Sequence, residues 1–249
     1  MPTLALWQWA LLAFGAFSVG VSKTGVPGLG IVSVVIFTLL LPTKFSVGAA
    51  LLVLICADLL AVAVHRKNGD VKQILRLLPW SVVGIALGAL FLNRMDDRLL
   101  KPVLGAVLFA ICLTGIWRSQ QKDVPKVPAW AAPLAGLAAG FTTMIANAAG
   151  PVTTLYLLAM RLPKEAFLGT AAVYFFLINW IKVPFSIFLS HNIEWDSLRF
   201  AVWLFPYAIL GGLVGKPLSE RISQQRFEQL ALALTALGSL WMLVRSLIP

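Results

Sequence analysis

Lys23 stands where a lysine is least expected. The run Ser22-Lys23-Thr24-Gly25-Val26-Pro27-Gly28-Leu29-Gly30 interrupts an otherwise apolar stretch from about residue 4 to residue 41. An ammonium at membrane depth is costly and marks a functional site by default. Around it the hydroxyls of Ser22 and Thr24 and the amides of Gly25, Gly28 and Gly30 supply hydrogen-bond donors. A helix resuming at Leu29 would turn its free N–H groups, the positive end of its dipole, toward the same place. Donors plus one cation suit an anion. A second set, Thr142, Thr143, Asn147 and Gly150, repeats the donor chemistry, with Pro151 placed in a helical first turn. The competing reading is that these small residues only let helices pack closely, with Lys23 snorkelling to an interface. Two interruptions at equivalent positions, one bearing a lysine, favour a binding site.

Four more residues fall at matching depth. Asp58 is a proton-carrying group, a partner for Lys23 or Lys182, or a hydrogen bond between helices, because carboxylates inside membranes serve all these ends. Asn179, Trp180 and Lys182 lie at the corresponding level of the second half, as coupling or cavity residues; for Trp180 packing competes. Catalytic residues are not expected. The two histidines, His65 and His191, are far apart and fall at span ends, and no nucleophile sits at the spacing of a base. Cys56 and Cys112 have neither metal-ligand nor redox spacing and read as buried small hydrophobes. No metal site and no cofactor are therefore expected, and an enzyme is the disfavoured class.

The elements that must position these groups are membrane spans. Of the 249 residues 59% are hydrophobic and 12% charged, which excludes an ordinary soluble domain. The net charge of +10 lies in loops between spans, so topology and anionic lipid explain it better than nucleic acid. Helices are expected over about 4–21 and 29–41, then spans over 45–64, 77–92 and 102–117. The second half is expected to place segments over 130–145, 152–160, 166–189, 198–214 and 227–247. The halves repeat. Gly20 and Gly30 match Gly140 and Gly150, Leu41-Pro42 to Gly48 matches Leu162-Pro163 to Gly169, Asp58 falls opposite Asn179, and Gly84 and Gly88 match Gly211 and Gly215. This predicts a first repeat over 1–118, a polar connector over 119–128 and a second repeat over 129–249, forming one membrane domain. The loop after the 45–64 span carries Arg66, Lys67, Lys72 and Arg76, whereas its counterpart at 190–199 has Arg199 beside Glu194 and Asp196. Opposite bias in equivalent loops predicts inverted halves, with most of the 20 basic residues inside and the N-terminus outside.

At these residues the chain resembles the sulfite exporter TauE/SafE family. The resemblance rests on Gly25-Val26-Pro27-Gly28-Leu29-Gly30, the Leu-Pro start of the following span, the Gly69-Asp70 turn, the Gly84/Gly88 span and the duplication. It implies a multi-pass inner-membrane permease for small sulfur-containing anions such as sulfite or organosulfonates. The expected fold is an all-α multi-pass membrane protein of two inverted repeats, each a broken or re-entrant helical hairpin followed by three spans. The expected function is a secondary transporter holding an anion between two broken-helix tips and moving it by alternating access. A proton is a candidate co-transported ion, a homodimer a candidate assembly, and the lipid bilayer the surrounding partner. A passive anion channel, or a transporter of an unrelated small anion, is the alternative.

Overall fold

A computed structural model describes residues 4–94 and 127–247. Among these residues there are helices and no strands. In order they are α1 (Leu6–Thr24), α2 (Gly30–Leu40), α3 (Thr43–His65), α4 (Val71–Arg94), α5 (Ala131–Ala146), α6 (Ala149–Ala159), α7 (Lys164–Pro184), α8 (Trp195–Glu220) and α9 (Gln224–Leu247). A 3-10 turn, Arg66–Asn68, follows α3, and a π-helical turn, Phe185–Leu189, follows α7. The expected segment at 102–117 and most of the connector at 119–128 lie outside the described residues.

Among the described residues four stretches are long and apolar enough to cross a membrane: Lys44–Asn68, Val71–Leu92, Lys164–Leu189 and Trp195–Glu220. Their outward side chains include Phe188, Trp203 and Leu213, all more than half exposed, as an acyl-chain environment permits. The protein is an all-α, multi-pass membrane protein. By contrast α2 and α6 have 11 residues each. At 1.5 Å per residue such a helix rises about 17 Å, roughly half of a hydrocarbon core of about 30 Å. Each leads directly into a full span through a Leu-Pro connection. Pro42 and Pro163 cap α3 and α7, and Pro42 holds Leu41 extended at φ −122° and ψ 150°, because a residue before proline avoids the helical region.

The packing repeats between the halves. A Cβ added to Gly20 of α1 would run into the carbonyl of Ala208 on α8, and one added to Gly211 of α8 would meet the carbonyl of Phe17 on α1. In the other pair, Gly140 of α5 faces the carbonyl of Ser81 on α4, and Gly84 of α4 faces the carbonyl of Leu137 on α5. These are the residues that the sequence alignment of the two halves sets opposite each other. Backbones approach this closely only where a side chain is missing, so the glycines specify which helix lies on which. Each half's opening helix packs on a helix of the other half, and the halves interlock.

The longer helices follow the same rule. Gly48, near the start of α3, abuts Asn192 beyond the end of α7, while Gly169, near the start of α7, abuts Gly69 beyond the end of α3. Helices α3 and α7 therefore run antiparallel, side by side.

Several boundaries differ from expectation. Helix α1 runs on to Thr24, past its expected end at 21, so Ser22, Lys23 and Thr24 form its last turn and not part of the break. Helices α4 and α8 are longer than expected. The span expected at 77–92 belongs to a helix beginning at Val71, because Asp70 Oδ1 accepts the N–H groups of Lys72 at 2.9 Å and Gln73 at 3.2 Å. That side-chain cap starts the helix one and a half turns early, in basic sequence that reads as loop. Helix α8 likewise overruns its expected 198–214 at both ends, where charged residues such as Asp196 and Glu220 interrupt the apolar run without ending the helix.

Candidate functional site

The first interruption is built by backbone economy. Gly25 and Val26 both donate to the carbonyl of Val21, at 2.9 and 3.0 Å, ending α1. Gly28 then turns at φ +97°, a conformation open to glycine and costly for other residues, and α2 starts at Gly30. Lys23 remains in the last turn of α1 with its side chain directed inward. Its Nζ lies 2.7 Å from Asp58 Oδ1 and 3.9 Å from the centre of the Phe175 ring, an ion pair backed by a cation–π contact. The other Asp58 oxygen accepts a hydrogen bond from Asn179 Nδ2 at 2.6 Å. Asp58 is fully buried and the Lys23 side chain 10% exposed. The two residues that the repeat sets opposite each other, Asp58 and Asn179, thus touch where antiparallel α3 and α7 meet.

The second interruption is shorter. Asn147 takes the left-handed conformation at φ 55°, which asparagine tolerates better than most side chains, and its N–H closes α5 on Thr143 at 2.9 Å. Helix α6 resumes at Ala149, with Gly150 and Pro151 already in its first turn. Lys182 of α7, also fully buried, holds this turn. Its Nζ donates to the Thr143 carbonyl and to Asn147 Oδ1, each at 2.5 Å, and Asn147 Nδ2 donates to the Val47 carbonyl of α3 at 3.0 Å.

Both interruptions open on one cavity of about 90 Å³, enough for a few waters or one small anion. From the first come Ser22, Lys23, Gly28 and Gly30; from the second come Thr143, Asn147 and Gly150, followed by Thr153 and Thr154. The starts of α2 and α6 both face it, so two helix dipoles present their positive ends to the same space. Asn179 and Phe175 form part of the wall. A Cβ at Gly150 would meet nothing within 4 Å, so this glycine keeps the cavity open. The arrangement can bind a small anion by hydrogen bonds and charge.

Not every expected residue reaches the cavity. Thr24 is turned away, donating to the carbonyls of Gly20 at 3.1 Å and Gly212 at 2.8 Å, because α8 lies against that face of α1. Gly25 abuts Gly215 of α8 for the same reason. Thr142 donates to the Ala138 carbonyl within its own helix. Trp180 is half exposed and rests on Phe176, on the outer face of α7. Asp58 and Lys182 lie behind the lining residues they brace. Conversely, Ser33, Thr38, Ser46 and Thr235 line the cavity and were missed. Their signal was weak, since hydroxyls in apolar helices more often serve packing. The hydroxyl of Thr235 is buried with no hydrogen-bond partner among the described residues. His65 is the last residue of α3, at the span end where it was expected, and is buried there with Nε2 2.8 Å from the Thr24 carbonyl, so it ties the end of α1 to α3.

Residues 11–242 match the family described as sulfite exporter TauE/SafE. No curated protein and no solved structure matches the chain. The match spans nearly the whole sequence, and the chain belongs to this family of membrane permeases for sulfur-containing anions.

Proposed function

We propose that this family member is a secondary transporter that binds one small sulfur-containing oxyanion, such as sulfite or an organosulfonate, between the tips of two broken hairpins. The observation that carries this reading is that both interruptions, with Lys23, bound a single cavity. Lys23, held by Asp58, supplies an ammonium donor; Ser22, Thr143 and Asn147 supply hydrogen bonds; Gly28, Gly30 and Gly150 let backbone amides approach the ligand. Alternating access follows from the two halves being inverted copies. That relation is supported by the antiparallel α3 and α7 and by the reciprocal glycine contacts. The hairpins α1–α2 and α5–α6 would then enter from opposite faces, with the N-terminus outside the inner membrane.

A negative-inside potential drives anions outward by about 2.3 kcal/mol per charge per 100 mV, so export needs no coupling ion. Uptake would need one, and Asp58, held by Lys23 and Asn179, is the group placed to carry a proton. The experiment is sulfite or methanesulfonate flux into proteoliposomes. Saturable flux that Lys23→Ala abolishes at unchanged membrane insertion is expected; retained flux would remove Lys23 from the site. Flux that never saturates would favour a passive channel. With Asp58→Asn, flux should lose its dependence on a pH gradient, and persistence of that dependence would end the coupling role.

A further inference from the structure

We propose that Lys182 gives the cavity an unbalanced positive charge and thereby makes the site selective for singly over doubly charged oxyanions. This rests on the anion-carrier reading above and adds the charge class of the substrate. Among the described residues the ionisable side chains at the site are Lys23, Asp58 and Lys182. Lys23 and Asp58 cancel across 2.7 Å. Lys182 has no such partner. Its two acceptors, the Thr143 carbonyl and the Asn147 amide oxygen, are neutral, and among the described residues no carboxylate lies within ion-pairing distance of it.

A fully buried ammonium with dipoles alone for company is unfavourable. Such a group sheds its proton unless a counter-charge joins it, and an anion in the space its two acceptors line is that counter-charge, so the ammonium and the anion are bound together. Thr143 and Asn147 are both cavity residues, so Lys182 stands directly behind the wall where a ligand would lie, one residue removed from contact. It is a positioning and specificity-determining residue. It fixes the Asn147 side chain in the left-handed turn and supplies the field behind it. With one net positive charge, a monoanion brings the buried site to neutrality. A dianion would leave it negative inside a low-dielectric membrane, and neutral solutes would leave the cation uncompensated.

The tetrahedral pair methanesulfonate and sulfate separates charge from shape. Ligand-dependent thermal stabilisation of the purified protein gives apparent affinities for both. Wild type should bind methanesulfonate at least tenfold more tightly than sulfate. Asp58→Asn raises the site charge by one and should shift that ratio toward sulfate by at least tenfold, a displacement that a merely structural defect would not produce. Lys182→Gln should lower methanesulfonate affinity at least tenfold, and Lys182→Arg, which keeps the charge, should preserve the wild-type preference. Sulfate bound by wild type as tightly as methanesulfonate, or an unchanged ratio in Asp58→Asn, overturns the inference while leaving the carrier reading standing. Failure of the wild-type protein to bind either anion overturns both.

Discussion

The Lys23–Asp58 pair should behave as one coupled unit, and its removal in halves should be far worse than its removal whole. Lys23→Met leaves a fully buried carboxylate whose remaining partner is the Asn179 amide at 2.6 Å. Asp58→Asn leaves two buried ammonium groups, Lys23 and Lys182, with only the Phe175 ring and neutral oxygens for compensation. Breaking a buried pair by deleting one partner costs about 3–5 kcal/mol, whereas replacing both is often near neutral. For a chain of this size each kcal/mol moves the melting temperature by about 2–4 °C, so either single variant should melt roughly 6–20 °C lower. The double variant Lys23→Met/Asp58→Asn should recover most of that loss, giving a coupling of about 3 kcal/mol or more in a double-mutant cycle. Intrinsic-fluorescence melting in one detergent, without added anion, measures all four proteins. If each single variant shifts by less than about 2 °C, or if the two shifts simply add, the groups are not a desolvated pair. The charge count used for the cavity would then fail with them.

Filling the cavity should separate binding from folding. Gly150→Val has room at its Cβ and should change the melting temperature of the empty protein by only a few degrees. It should abolish stabilisation by methanesulfonate, and stabilisation that survives would move the ligand elsewhere. The helix contacts predict the opposite pattern. Gly140→Val and its counterpart Gly20→Val each drive a side chain into a facing carbonyl, so each should cost about 1–3 kcal/mol or more, read as a lower melting temperature with the loss similar in the two. A neutral effect at one site and not the other would argue against equivalent packing. Sidedness can be read by cysteine labelling after replacing Cys56 and Cys112. Lys72→Cys and Glu194→Cys, both on exposed ends of their helices, should react from opposite faces of a sealed vesicle, and reaction from one face would refute the inverted topology.

Much of this architecture was legible in the residues, and the limits of that legibility have physical causes. Composition and the length of the apolar runs sufficed for a helical membrane protein, because a bilayer accepts few backbone solutions. Glycine, proline and lysine together marked the first interruption, and the repeat located the second. The Leu-Pro connections, the Gly69-Asp70 turn and the spaced glycines were enough to identify the family. Helix ends were read less well. Charged residues such as Lys72 and Arg76 look like loop in a hydropathy profile, yet Asp70 caps them into α4.

Which residues meet was a matter for tertiary structure. The sequence placed Asp58 at the level of both Lys23 and Lys182, but the rotation of α1 against α3 decides that Lys23 takes the carboxylate. That leaves Lys182 to brace Asn147. Thr24 sits beside Lys23 in the chain and still faces α8, because neighbouring residues on a helix point about 100° apart. Trp180 faces outward for the same reason, two residues from an inward Lys182. Local sequence thus determined the helices, their interruptions and the polar groups at depth. Only the packing of glycine-bearing faces, which sets how each helix is turned toward its neighbours, decided which of those groups share a cavity and which charge is left without a partner.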